Sequence, residues 1–199
     1  PEVVEAMIPY LTSEYGNPSS KYYPLAQNAQ QAVEESRAKV AALIHAKPEE
    51  IIFTGGSTES SNMIIKGVAD YKKYYEKLGN HIITSKTEHH ATLNTCRFLN
   101  GEIYSNHDAT FSLNGQSNKV DRGYEVTFLD VDSYGRVLPD TLSNAIRPTT
   151  TLITIMWDNN EIGTINDISA LCDVAHQNGV LFHTDATQIS GKLSINVKD

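Results

Sequence analysis

TLITIMWDNNEIGTINDISALCDVAHQNGVLFHTD, residues 151–185, decides the fold. TLITIMW (151–157) is almost wholly apolar and has the length of a strand buried on both faces. Asp158, Asn159, Asn160 and Glu161 come next, a dense polar loop directly after a buried strand, with Gly163 suited to a positive φ in the turn. NDISALCDVAHQNG (166–179) reads as a helix closed by Gly179 in a left-handed cap. VLFHTD (180–185) returns to strand and ends on a carboxylate. Strand, helix and apolar strand in succession predict a parallel crossover unit.

The same rhythm extends toward the N-terminus. EEIIFT (49–54), HIIT (81–84) and EVTFLDV (125–131) read as strands. GGSTES (55–60) opens a helix running to about Leu78, and ATLNTCRFL (91–99) and PDTLSNAI (139–146) are further helices. Upstream, EVVEAMIPYL (2–11) reads as a short amphipathic helix that stops at SEYGNPSS (13–20). A long helix is expected from Pro24 to Ala46, with Ala29, Val33, Ser36, Val40 and Leu43 on one face. The fold class is therefore α/β: a mainly parallel sheet with helices on both faces. Residues 1–20 form an N-terminal helix and loop segment, and 21–199 form part of one larger domain. Residues 102–123, rich in Ser, Asn and Gly, break the rhythm and read as a surface insertion, flexible or a small hairpin.

Composition narrows the function. The 199 residues are 40% hydrophobic and 20% charged with a net charge of −8, a globular balance without the basic stripe of a nucleic-acid binder. No apolar run is long enough to cross a membrane. Two cysteines, Cys96 and Cys172, are too few for a disulfide framework, and both fall within helical patterns as expected buried structural thiols. The chain begins at Pro1 inside a helical pattern, which reads as a missing N-terminus.

In parallel sheets, ligands sit at the carboxyl ends of the strands, so four loops are the places for chemistry. FTGGSTES (53–60) joins two glycines to a helix start. Unpartnered N–H groups and the helix dipole there favour a phosphate, and Ser57 and Thr58 add hydroxyl donors. An ordinary helix cap by Ser57 or Thr58 is the simpler alternative. SKTEHHA (85–91) puts His89 where it could stack on a flat ring or move protons, with His90 directed elsewhere; a Thr87 cap and then solvated histidines is the alternative. MWDNNEIG (156–163) offers Asn160, whose amide suits a ring oxygen or a carboxylate. HTDATQ (183–188) ends a strand on Asp185, partly buried and so in need of a cation or donor. A protonated pyridine nitrogen is one such partner, and Gln188 can reach the same ligand.

These four loops, in this order and with GNPSS (16–20) and EVTFLDV (125–131), resemble the cysteine desulfurases and the related selenocysteine lyases. Both belong to the class-V aminotransferase family of fold-type I enzymes that use pyridoxal 5'-phosphate (PLP). The resemblance covers nearly the whole chain apart from 102–123. It implies that Ser57 and Thr58 bind the PLP phosphate and that His89 stacks on the ring and assists proton transfers. Asn160 and Gln188 would contact the phenolic oxygen, and Asp185 would pair with the ring nitrogen. It further implies that an enzyme thiolate takes sulfur from L-cysteine, releasing alanine and leaving a persulfide for a sulfur acceptor such as an iron–sulfur scaffold. A homodimer is implied as well, in a cytoplasmic or mitochondrial setting and not a secreted one. The chain departs from the family at Ser57, where Ala or Gly is usual, at Trp157 and Asp158, where a milder pair is usual, and in the length of 102–123.

Selenocysteine lyase or aminotransferase activity stays open within the family. A metal-dependent hydrolase built on Glu88, His89, His90, His183 and Asp185 would need ligands assembled from two loops, since no HExxH or His-x-His set exists. A non-catalytic remnant is the third possibility. The family's cofactor lysine, nucleophilic cysteine loop, substrate-binding arginine and small C-terminal domain are expected beyond Asp199, and neither Lys192 nor Lys198 matches the lysine motif. The 199 residues alone are therefore expected to release no sulfide from cysteine in a sulfide-evolution assay; measurable release would overturn this reading.

Overall fold

The computed structural model describes residues 1–102, 112–113, 116–117 and 120–198. The chain divides into two units, Pro1–Phe53 with Leu193–Asp199, and Thr54–Lys192.

In the larger unit, strands β1 (His81–Ser85), β4 (Glu125–Leu129), β5 (Thr150–Thr154) and β6 (Leu181–His183) form one sheet in the order β4-β1-β5-β6. Every pairing is parallel, as the apolar strands demand. Side chains alternate across a strand, so adjacent residues serve opposite faces. Ile83 and Ile153 enter a core with Leu142 of α5 (Pro139–Ala145) and Leu171 and Ala175 of α6 (Ile168–Gln177). Ile82 and Leu152 enter a second core with Ile65 and Ala69 of α3 (Ser57–Asp70) and Cys96 and Leu99 of α4 (His90–Leu99). Helices therefore cover both faces, as expected. β1 and β5 lie inside the sheet and are buried throughout.

Helix ends obey local chemistry. Asp167 caps α6 by accepting the Ala170 N–H at 3.1 Å, and Gly179, at φ 68°, lets the chain reverse after it. The helix expected to reach Leu78 instead leaves α-geometry after Asp70, and its wider final turns at Tyr71–Tyr75 stack the Tyr71 and Tyr75 rings 5.6 Å apart. Most of 102–123 lies outside the described residues, so its expected surface placement and flexibility do too. Within it, β2 (Ser112–Leu113) and β3 (Gln116–Ser117) pair antiparallel.

In the smaller unit, α1 (Glu2–Thr12) and α2 (Pro24–Leu43) take the expected places. Two expectations fail there. EEIIFT is not a strand: Pro48–Glu50 is a 3₁₀ turn and residues 51–54 belong to no regular element. The Ile51 carbonyl accepts from the Arg37 guanidinium, which also stands 5.0 Å over the Phe53 ring, and no described strand pairs with this run. The buried stripe of α2 is also rotated from the expected one. Ala26, Ala29 and Ala41 are buried, whereas Val40 and Leu43 are exposed. The stripe runs through Arg37, whose stem packs while its head group hydrogen-bonds, so polarity misplaced the face.

Ile153 is fully buried between β1, β6 and the α5–α6 layer. Ile153→Ala is expected to cost about 2–5 kcal/mol, read as a lower urea midpoint at unchanged slope.

Candidate functional site

The carboxyl ends of β1, β5 and β6 and the first turn of α3 surround one cleft. Ser57, His89, Met156, Asp158, Asn160, Asp185, Thr187 and Gln188 line it. Five of the six residues singled out from the sequence therefore meet in one place. The sixth, Thr58, lines a neighbouring cleft with Asn62, Lys66, Asn94 and Phe98, and His89 borders both. Met156 and Thr187 were not singled out, although both sit close beside the strand-end residues that were.

At one end of the cleft, α3 starts without a side-chain cap. Its N-cap is Gly56, not Ser57 or Thr58. Glu59 instead reaches back to the Gly55 N–H at 2.6 Å, and Thr54 bonds the Ser60 hydroxyl at 2.8 Å. These contacts hold the loop from the side and leave the start of the helix open for an anion. Among the described residues, no atom comes within 4 Å of where a Gly56 side chain would begin.

His89 borders the cleft as the N-cap of α4. Its Nδ1 accepts the Ala91 N–H at 3.2 Å, so in the neutral ring the proton sits on Nε2. The alternative of a Thr87 cap does not form: His89 itself caps α4. The β5 loop is organised by Asn159, which donates to the Thr87 carbonyl at 2.9 Å and accepts the Glu161 and Ile162 N–H groups at 2.9 and 3.1 Å. Gly163 takes the expected positive φ, 69°. Asn159 is structural, which frees its exposed neighbour Asn160 for the cleft.

Asp185 also lines the cleft, half-buried as expected. One carboxylate oxygen, Oδ1, accepts both the N–H and the hydroxyl of Thr187. Behind it His183 bonds Thr154 at 2.7 Å, and burial lowers the imidazole pKa against the opposing pull of Asp185. Among the described residues, Asp158 Oδ1 and Thr184 Oγ1 are buried without a protein partner. Such atoms are costly unless something bonds them. Gln188 lines the cleft while accepting from Lys192 at 3.3 Å.

Glu88 stood out in the sequence only as a member of the rejected metal set. It is buried, and both of its oxygens accept the Met156 N–H, at 3.0 and 3.1 Å, while Oε1 also accepts from Ser85 at 2.7 Å. Burial raises its pKa to about 7, against the two hydrogen bonds and with help from Asp185. Nothing in the sequence marks this, because the Met156 partner comes from another strand. Among the described residues, no group of three or more His, Cys, Asp or Glu side chains could hold a metal ion. Cys96 lies buried in the core, its thiol pushed up to about 12 by burial. Cys172 differs from expectation: it is only half-buried, 3.6 Å from His176 on α6.

Because the folded chain holds the Glu88 proton more tightly than the unfolded chain, this group stabilises fully below about pH 4.5 and loses that contribution as pH rises through about 7. Relative to Glu88→Gln, stability is expected to fall by roughly 3 kcal/mol across that window. Urea titrations of both proteins at several pH values check this, and parallel curves would refute it.

The family model described as aminotransferase class-V matches residues 1–103 and 102–199. A protein named cysteine desulfurase IscS from Methanosarcina thermophila is 46% identical over 99% of this chain and 43% of its own length. One of the same name from Dictyoglomus turgidum is 46% identical over 100% of this chain and 44% of its own. Among solved structures, "SspA in complex with cysteine" superposes with a TM-score of 0.84 at 36% identity, covering 99% of this chain and 50% of that one. A NifS-like protein gives a TM-score of 0.84 at 32% identity, over 100% and 48%. The chain thus spans under half the length of these curated relatives, and across that span it belongs to the class-V aminotransferase family.

Proposed function

We propose that this chain forms the cofactor-binding part of a PLP-dependent cysteine desulfurase, with PLP held in the cleft between α3, β1, β5 and β6. One observation carries the reading: an open helix start, an imidazole, an amide and a strand-end carboxylate converge on the same space. That donor set fits a flat, anionic heteroaromatic ring with a basic nitrogen. The α3 start and the Ser57 hydroxyl suit a phosphate, and Asp185 suits a protonated ring nitrogen. Asp158, which lines the cleft, adds an oxygen left without a protein partner among the described residues.

In this reading Ser57 binds the phosphate, and Thr58 supports it from the adjoining cleft. His89 lies along the ring face, where its Nε2–H can be donated or, once lost, the nitrogen can accept a proton. Asn160 and Gln188 orient the ring through its phenolic oxygen. Asp185 keeps the ring nitrogen protonated. When bound, PLP supplies an electron sink that lets a bond next to the substrate's amino carbon weaken. Residues 21–199 are then part of the PLP-binding domain, preceded by the helix and loop of 1–20.

L-Cysteine is the proposed substrate, supported by the names of the relatives and by the cysteine-bound neighbour. The product sulfur would pass to an acceptor such as an iron–sulfur scaffold protein, and the complete protein would act as a homodimer in the cytoplasm or a mitochondrion. No described helix is long and apolar enough to cross a membrane.

Absorbance and fluorescence titration with PLP tests the cleft. Wild-type chain is expected to bind one equivalent. Asp185→Ala is expected to bind about tenfold or more weakly, the scale of a lost charge-assisted hydrogen bond. Equal affinity for both, or no saturable binding by the wild type, would count against the assignment.

A further inference from the structure

Glu88 does not line the ligand cleft, yet it touches the elements that do. It lies between Thr87 and His89, and its carboxylate holds the main chain of Met156, which lines the cleft at the end of β5. A polar chain leads out from it. Ser85 Oγ is 2.7 Å from Glu88 Oε1 and 3.2 Å from Thr87 Oγ1, and it accepts the Thr87 N–H at 3.3 Å. The Thr87 carbonyl in turn accepts from Asn159, which folds the loop carrying Asn160.

We propose that Glu88, Ser85 and Thr87 form a reversible hydrogen-bond relay, in which the proton state of the buried Glu88 carboxyl positions the Thr87 turn and, through its carbonyl, the Asn159–Asn160 loop at the cleft. Two arrangements satisfy the same heavy atoms. With Glu88 ionised, the Ser85 hydroxyl donates to Oε1, the Thr87 hydroxyl donates to Ser85, and Met156 N–H is shared between both carboxylate oxygens. With one proton added to Oε1, Glu88 donates to Ser85, the Ser85 hydroxyl swings to donate to Thr87 Oγ1, and Met156 N–H rests on Oε2. One proton enters from solvent, two hydroxyl hydrogens rotate, the Met156 N–H passes from two acceptors to one, and the Thr87 hydroxyl turns from Ser85 toward solvent; the Thr87 turn, whose carbonyl holds Asn159, adjusts with that change. Glu88 is thus a positioning residue.

The charges around Glu88 agree with a carboxyl poised near neutrality. Burial and the Asp185 carboxylate from the end of β6 both favour the protonated form, and the Ser85 and Met156 bonds favour the ionised one. From α4, Cys96 faces it as a neutral thiol. On β6, burial lowers the His183 pKa against the pull of Asp185. On the turn itself, Lys86 is paired with Asp130, and His89 and His90 come next along the chain. Asp158 stands on the β5 loop. A ligand that places a positive N–H against Asp185 would lower the repulsion on Glu88, so such a ligand and the ionised carboxyl favour one another.

Amide NMR between about pH 5 and 9 tests the relay on the chain as it stands. The Met156 backbone amide and the Asn159 side-chain amide are expected to shift together, with a midpoint near the Glu88 pKa of about 7. In Glu88→Gln, whose amide accepts from Met156 and donates to Ser85 as the protonated acid would, both signals should stay near the wild-type low-pH positions. In Ser85→Ala, Met156 should still titrate while Asn159 falls silent. A flat Met156 amide in wild type, or an Asn159 response unchanged in Ser85→Ala, overturns the proposal. The ligand arm rests on the PLP reading: the ratio of wild-type to Glu88→Gln affinity for PLP should rise several-fold from the acid to the alkaline side of neutrality. Absence of PLP binding with intact amide titrations would sink the PLP reading and leave the relay standing; a constant ratio with normal binding would sink the coupling to the ligand.

Discussion

The parallel pairing of β1 with β5, buried on both faces, is the constraint on which the rest depends. Ile82 and Leu152 serve one core and Ile83 and Ile153 the other, so neither strand can slip by a residue without turning its apolar side chains to the wrong layer. With the register held, Thr84 pairs with Thr154, and both strands end within one residue of that pair. The loops leaving these strands must then emerge together at the same sheet edge. The cleft is a consequence of that alignment, since three chain segments far apart in sequence run out of strand at one level.

Carboxylates and their satisfaction dominate the loops at that edge. Glu88 is buried and held by main-chain and hydroxyl donors, Asp185 is half-buried with one oxygen tied to Thr187, and Asp158 keeps one oxygen without a partner. The Asp185 carboxylate adds to burial in raising the Glu88 pKa, whereas Asp185 itself is held by the Thr187 donors. The α3 start and the Asp185 carboxylate line the same cleft. A ligand that carries both an anionic group and a protonated ring nitrogen can use both, whereas a uniformly anionic one cannot.

Much of the candidate site was legible because strand ends in a parallel sheet are chemically conspicuous. An apolar run that stops at Asp185 or at Asp158-Asn159-Asn160 announces a loop where polar groups gather, whatever the neighbouring strands do. Glycines before Ser57 announce a helix start open to an anion. Other features depended on partners that periodicity cannot see. Residues 49–54 have the composition of a strand, but a strand exists only by pairing, and here Arg37 takes the Ile51 carbonyl instead. The buried face of α2 was misjudged because an arginine lies in the stripe.

The sequence by itself determined the element order outside 49–54, the parallel sheet with helices on both faces, and the loops that carry Ser57, His89, Asn160, Asp185 and Gln188. All of these come from local patterning, which each segment carries alone. Only the tertiary structure decided which neighbours share a cleft. Ser57 and Thr58 are adjacent in sequence but lie about 100° apart around a helix, so they face different clefts. Only the tertiary structure gave Glu88 its partners, because the Met156 amide that binds it lies 68 residues away and arrives through strand pairing. A buried carboxyl's proton affinity depends on what surrounds it in space, and that environment is built by the packed sheet, not written next to it in the chain.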